Sequence, residues 1–125
     1  MTEDRISFHM GPHANYTCPS PTLKEIIDVA KELNLPIHLH VSEEDVQVEK
    51  AREETGLTPF GILYEAGGFD CKVLIGHGLW IEEEDLKYLR YYIEIQQYRF
   101  GRRLVYEEDI AAAAMDCLVP KLVLQ

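Results

Sequence analysis

Pro36-Ile37-His38-Leu39-His40-Val41-Ser42-Glu43 is the stretch that decides the fold. It reads as a short buried strand that ends on a histidine, with a carboxylate three residues further on. A second run, Val73-Leu74-Ile75-Gly76-His77-Gly78, has the same form and also ends on a histidine. Parallel strands present their working groups at their carboxyl ends. Two histidines from neighbouring strand ends, plus one acid, are what a metal site that activates water requires.

Working outward from these runs, the text alternates. Arg5 to Met10 carries Ile6 and Phe8 at alternate positions and reads as a first strand. Gly11 to Pro21 is dense in Gly, Pro and Asn and reads as a loop. A helix is expected from Ser20 or Thr22, with Pro21 in its first turn and a Thr22–Glu25 capping box. Leu23, Ile26, Ile27, Ala30 and Leu33 share one helical face, and Asn34-Leu35-Pro36 ends the helix. Glu43 to Thr55 is helix-favouring and nearly all polar, with Gly56 as its C-cap. Thr58-Pro59 opens a short helix that Gly67-Gly68 stops. Glu82 to Asp85 places negative charge where a helix's first turn favours it, ahead of Leu86, Leu89 and Ile93. The order strand, helix, strand, helix, strand, helix predicts parallel strands with right-handed crossovers, an α/β architecture. From Tyr91 to Phe100 the text turns aromatic and poorly periodic, and Ala111–Ala114 reads as helical.

Bulk properties narrow the function. The 125 residues are 46% hydrophobic and 27% charged, ordinary material for one modest domain. A net charge of −10 argues against a duplex nucleic-acid binder, which needs a basic face. Cys18, Cys71 and Cys117 are an odd count with no CxxC spacing, which argues against a disulfide framework and for a reducing compartment such as the cytoplasm. No apolar run approaches about 20 residues, so no membrane span is expected. The polar, acidic opening Met1-Thr2-Glu3-Asp4-Arg5 is unlike a signal peptide.

On the strand Ile37–Val41, His38 and His40 are two apart and face the same side of the sheet. His40 is nearer the strand's exit and is the preferred ligand. His77 ends its strand between Gly76 and Gly78, which leave room for close approach. Glu43 is placed to exchange a proton with a bound water or a leaving group. Taken singly, each residue has a plainer reading. A strand histidine is more often packed than ligating, and Glu43 suits a helix's first turn. His13 is then an inert loop residue and Trp80 a packing residue. His9 and the cysteines carry no functional assignment.

The segments together resemble a known family. Gly11-Pro12-His13-Ala14-Asn15-Tyr16-Thr17-Cys18 is similar to the GPHxxYTC loop of the amidohydrolase superfamily. The match is to the branch of 5-methylthioadenosine/S-adenosylhomocysteine deaminases, with related chlorohydrolases and guanine or cytosine deaminases. Residues 36–43 resemble that branch's pIhiHxxE strand, and residues 73–86 its vllaHgvwl..eel segment. The resemblance implies a partial (β/α) barrel with about three parallel strands and covering helices. It implies that His40 and His77 bind a divalent metal, zinc first with iron or manganese as alternatives. By the same resemblance Glu43 contacts substrate and moves the proton between water and the substrate nitrogen, and His13 contacts substrate. The implied reaction is deamination of an adenosine-like or other N-heterocyclic small molecule.

The sequence also departs from that pattern. The family's barrel takes about 250 residues. The HxH pair of its first strand is missing here, and so are the NPxSN and GTD segments expected after residue 90. Asp109 and Asp116 stand in a different context from the GTD aspartate. Residues 1–90 therefore read as a middle segment of the barrel, roughly strands four to six, and residues 91–125 as a divergent tail without family match. A truncated or frame-shifted reading frame is the expected origin. The alternative function is a non-catalytic α/β fragment that self-associates or complements another chain. Open sheet edges template pairing, so a homo-oligomer is expected. Neither a nucleic acid nor a membrane is expected as partner.

Overall fold

Strands and helices alternate along the chain in the order β1 (Met10–Ala14), α1 (Ser20–Glu32), β2 (Ile37–Val41), α2 (Asp45–Thr55), α3 (Pro59–Glu65), β3 (Val73–His77) and α4 (Glu83–Phe100). Single 3-10 turns follow at Gly68–Asp70 and Gly101–Arg103. The structure, a computed structural model, describes residues 6–103 and 105. The readings that fall on Ala111–Ala114, Asp109, Asp116 and Cys117 lie outside the described residues. The three strands form one parallel sheet in the order β1-β2-β3, the expected α/β arrangement.

The first strand lies further along than the alternation predicts. Ile6 and Phe8 are 65% and 76% exposed, and the strand is instead built from Met10, Gly11, Pro12, His13 and Ala14. A bulge explains it. Met10 pairs with Ile37 and His13 with Leu39, so β1 spends three steps where β2 spends two. Pro12 has no N–H for the ladder, which is tolerated at a bulge of an edge strand.

One face of the sheet is packed. Ile37, Leu39 and Val41 of β2 are buried against Leu23, Ile27 and Ala30 of α1 and Phe60, Ile62 and Leu63 of α3. This is the strand's period-2 alternation meeting the helical period of 3.6. Leu33, expected on the same helical face as Ala30, is 61% exposed because it is already the C-cap of α1. The opposite face of the sheet presents His38, His40, Leu74 and Gly76, and Leu74 is 52% exposed.

The helix ends follow local chemistry, with two departures. α1 starts after Pro19 with no side-chain cap, so the Thr22–Glu25 box does not form. α2 ends as predicted on Gly56 in the left-handed region, φ 76°. At α3, the Thr58 hydroxyl oxygen accepts from Gly61 N–H at 3.0 Å. At α4, Glu82 and Asp85 form a reciprocal capping box. α4 then runs without a break past residue 90 to Phe100, so the aromatic stretch is helical. Tyr88, Leu89 and Tyr92 are only partly buried against the core, which explains its weak periodicity.

A buried polar link fixes α3 against α4. Asp85 is 0% exposed, accepts the Thr58 hydroxyl at 2.5 Å and accepts Glu82 N–H at 2.9 Å. Burial pushes its carboxyl above the usual carboxylate range, and the two hydrogen bonds oppose that shift in part. Arg52 of α2 donates to Glu82 and, at 2.7 Å, to Glu84, tying a third helix to the same corner.

Candidate active site

The carboxyl ends of all three strands carry a histidine or a carboxylate, and the backbone there is unusual. His13, Ser42 and His77 have φ of 55°, 51° and 70°, in the left-handed region that non-glycine residues seldom occupy. The fourth such residue among those described, Asn34 at 52°, only terminates α1. One strained residue thus sits at each strand exit, a pattern that clusters at functional sites.

The strain has a geometric consequence. By ladder register His13 stands beside Leu39 and His77 beside Val41, both residues of the packed face. Ordinary strand backbone would aim the two histidines at the helices. Their left-handed turns instead bring both rings to His40. The centroids lie 5.3 Å apart for His13 and His40, and 4.9 Å for His40 and His77. Glu43 closes the group, with its Oε1 3.3 Å from His77 Nε2. The four residues singled out from the sequence are therefore brought together at one edge of the sheet. His38 is not among them: it stays one pleat back, edge-on to His9 at 6.2 Å between centroids.

His40 has an unusual seat. Its Nδ1 is buried without a hydrogen-bond partner among the described residues. The ring lies over Gly76, where an added Cβ would come within 2.9 Å of that nitrogen. An orphaned imidazole nitrogen over a bare backbone, beside a second imidazole and a carboxylate, is a donor set that suits a borderline cation such as zinc. The set is small. Among the described residues, no group of three or more His, Cys, Asp or Glu side chains could hold a metal ion. His40 and His77 would supply two nitrogens of a larger shell.

Two further residues shape the site and carry no clear sequence signal. Thr17 Oγ1 donates to the Ala14 carbonyl at 3.2 Å and lies 2.7 Å from His13 Nδ1. The bond to Thr17 anchors the His13 ring through Nδ1, on the side away from Nε2. Ser42 is fully buried, and its carbonyl accepts from Leu79 and Trp80 N–H at 3.1 and 3.2 Å. Thr17 lies inside the quoted loop motif, but nothing in one sequence marks its bond. The left-handed turn at a serine is not legible from residue type at all. Cys18 and Cys71 are buried, and burial pushes both thiols up.

The profile of the Amidohydrolase family matches residues 1–115. The chain belongs to the amidohydrolase family. It is 41% identical over 88 residues to the 5-methylthioadenosine/S-adenosylhomocysteine deaminase of Thermoanaerobacter pseudethanolicus, a match covering 70% of this chain and 20% of that protein. It is 38% identical over 84 residues to the enzyme of the same name from Pyrococcus furiosus, covering 67% of this chain and 20% of that one. This amidohydrolase chain thus spans about a fifth of the length of the curated relatives it matches. Among solved structures it resembles an adenosine deaminase from Xanthomonas campestris with bound zinc, with a TM-score of 0.67 and 23% identity, over 73% of this chain and 21% of that one. That likeness shows a shared fold. Among the described residues no helix is long and apolar enough to cross a membrane.

Proposed function

We propose that the strand exits form part of the site of a metal-dependent aminohydrolase acting on an adenosine-like or related N-heterocyclic small molecule. The observation that carries this reading is the convergence of His40 and His77, 4.9 Å apart, with Glu43 at 3.3 Å from His77. Deaminase-named relatives covering two thirds of this chain or more support it. In the reaction, water adds to the amidine-like carbon of the ring and ammonia leaves. His40 and His77 would hold a divalent cation, zinc first with iron or manganese as alternatives. When bound, that cation supplies Lewis-acid activation of the water.

The chain's own residues do the rest. Glu43, half-buried and aimed at His77, takes the proton from the attacking water and delivers it to the departing nitrogen. His13 offers Nε2 to a polar group of the substrate, because its Nδ1 is held by Thr17. We assign the site to the segment from His13 to His77, within residues 1–90. We also infer a homo-oligomer, since β1 and β3 each pair on one side only within the described sheet, and a cytoplasmic location, from an odd cysteine count with no CxxC spacing.

Ammonia release from adenine nucleosides, with zinc, iron or manganese added to the full chain, tests this reading. The expected result is slow, metal-dependent release that falls by about two orders of magnitude in Glu43→Gln, the scale of a lost proton-transfer group. Release that ignores the metal or the substitution would overturn it. Absence of release with every metal would favour a second reading, a non-catalytic α/β unit that self-associates or complements another chain. The exposed sheet face around Leu74 is the observation behind that reading.

A further inference from the structure

We infer that Ser42 is a positioning residue, whose left-handed backbone sets Glu43 against His77. The inference rests on the proposed site and adds a residue to it. Three observations converge on this position. Ser42 has φ 51° and is fully buried. Its carbonyl accepts two N–H groups from the segment after β3, Leu79 and Trp80, while the preceding Val41 carbonyl accepts Gly78 N–H at 2.9 Å. Immediately after it, Glu43 N–H donates to Gln47 Oε1 at 3.3 Å and the Glu43 carboxylate meets His77.

The three carbonyl bonds stitch the exit of β2 to the exit of β3 and so fix where the chain stands when it leaves residue 42. The left-handed turn then sets the direction in which residue 43 departs. An extended residue at 42 would send Glu43 along another path and would move the carbonyl away from Leu79 and Trp80. His77 reaches the same point by its own left-handed turn, φ 70°. The Glu43–His77 contact is thus set by two inverted residues, Ser42 just after β2 and His77 at the end of β3. Glycine reaches this conformation freely, whereas β-branched residues are outliers there.

The test is a set of double-mutant cycles on the full chain at pH 6, read by urea unfolding with no metal present. Glu43→Gln and His77→Ala are combined in the wild-type, Ser42→Gly and Ser42→Thr backgrounds. The cycle isolates the coupling of residues 43 and 77 from any general loss of stability. The expected coupling is a factor of about three to five in the unfolding constant for wild type and Ser42→Gly, and none for Ser42→Thr. Coupling retained in Ser42→Thr, or lost in Ser42→Gly, would overturn the inference. If Ser42→Thr does not fold, the Ser42→Gly cycle decides alone, by retention or loss. Zinc uptake, measured beside the cycles, reports on the metal site separately. Intact coupling without zinc uptake would fail the site reading and leave the positioning role standing.

Discussion

The two faces of the three-stranded sheet are made from the same strands and do opposite things. On one face Ile37, Leu39 and Val41 are buried against α1 and α3. On the other, His38 and Leu74 are exposed, and His40 lies over a bare Gly76. Alternation along β2 creates both faces at once, which is why a pattern that buries a core also lines up two histidines. The strand ends break that division of labour. At His13 and His77 the backbone inverts, and residues registered with the packed face join the open one. Stability therefore resides in the regular part of the sheet, and the proposed chemistry at its irregular edge.

The sharpest way to break this comparison is to remove apolar volume from each face in turn. Phe60 is 2% exposed, and Phe60→Ala should cost about 3–5 kcal/mol in urea unfolding. Leu74 is 52% exposed, and Leu74→Ala should cost about 0.5 kcal/mol or less. Similar losses from both would mean that another surface covers the open face.

A smaller effect sharpens the comparison at the edge. Gly76→Ala puts a Cβ 2.9 Å from His40 Nδ1, so the ring must move. Overpacking of this kind costs about 1–3 kcal/mol, and zinc affinity should fall about tenfold alongside it. Unchanged zinc affinity in that variant would show that the seat of His40 is not part of the site.

Much of this was legible in the sequence because it depends on period and punctuation. β2, α2, the start of α4 and the Gly56 cap follow from alternation, polar helical text and glycine at a helix end. The neighbourhood of His40, His77 and Glu43 follows from parallel strands presenting their carboxyl ends together. What was not legible depends on conformation. The bulge at Gly11-Pro12 turned an apparent loop into β1 and left Ile6 and Phe8 outside the sheet. The inversion at Ser42 is held by partners far along the chain, Leu79 and Trp80, and it and the inversions at His13 and His77 leave no trace in residue type. The same holds for Asp85, which read as a first-turn acid and is also a buried partner of Thr58.

Asp85 provides the smallest and most specific effect, on the packed side of the comparison. Burial raises its folded carboxyl above the ordinary value, so the folded chain holds this proton more tightly than the unfolded chain does. Its stabilising contribution is complete below the ordinary carboxylate range, about pH 4, and is lost as pH rises through the raised folded value. The urea midpoint of the wild type should decline across that window, and Asp85→Asn should show a shallower decline. An identical pH profile for the two would place Asp85 in a solvated environment and contradict the buried link.

Cobalt(II) titration of the full chain, followed by its visible absorption, tests the central claim most directly, because it reads which histidines share one ion. The account predicts binding that is lost in His40→Ala and in His77→Ala and kept in His38→Ala, since His38 sits one pleat, roughly 6–7 Å, behind the edge. Loss in His38→Ala equal to that in His40→Ala, or binding unaffected by His77→Ala, would contradict it.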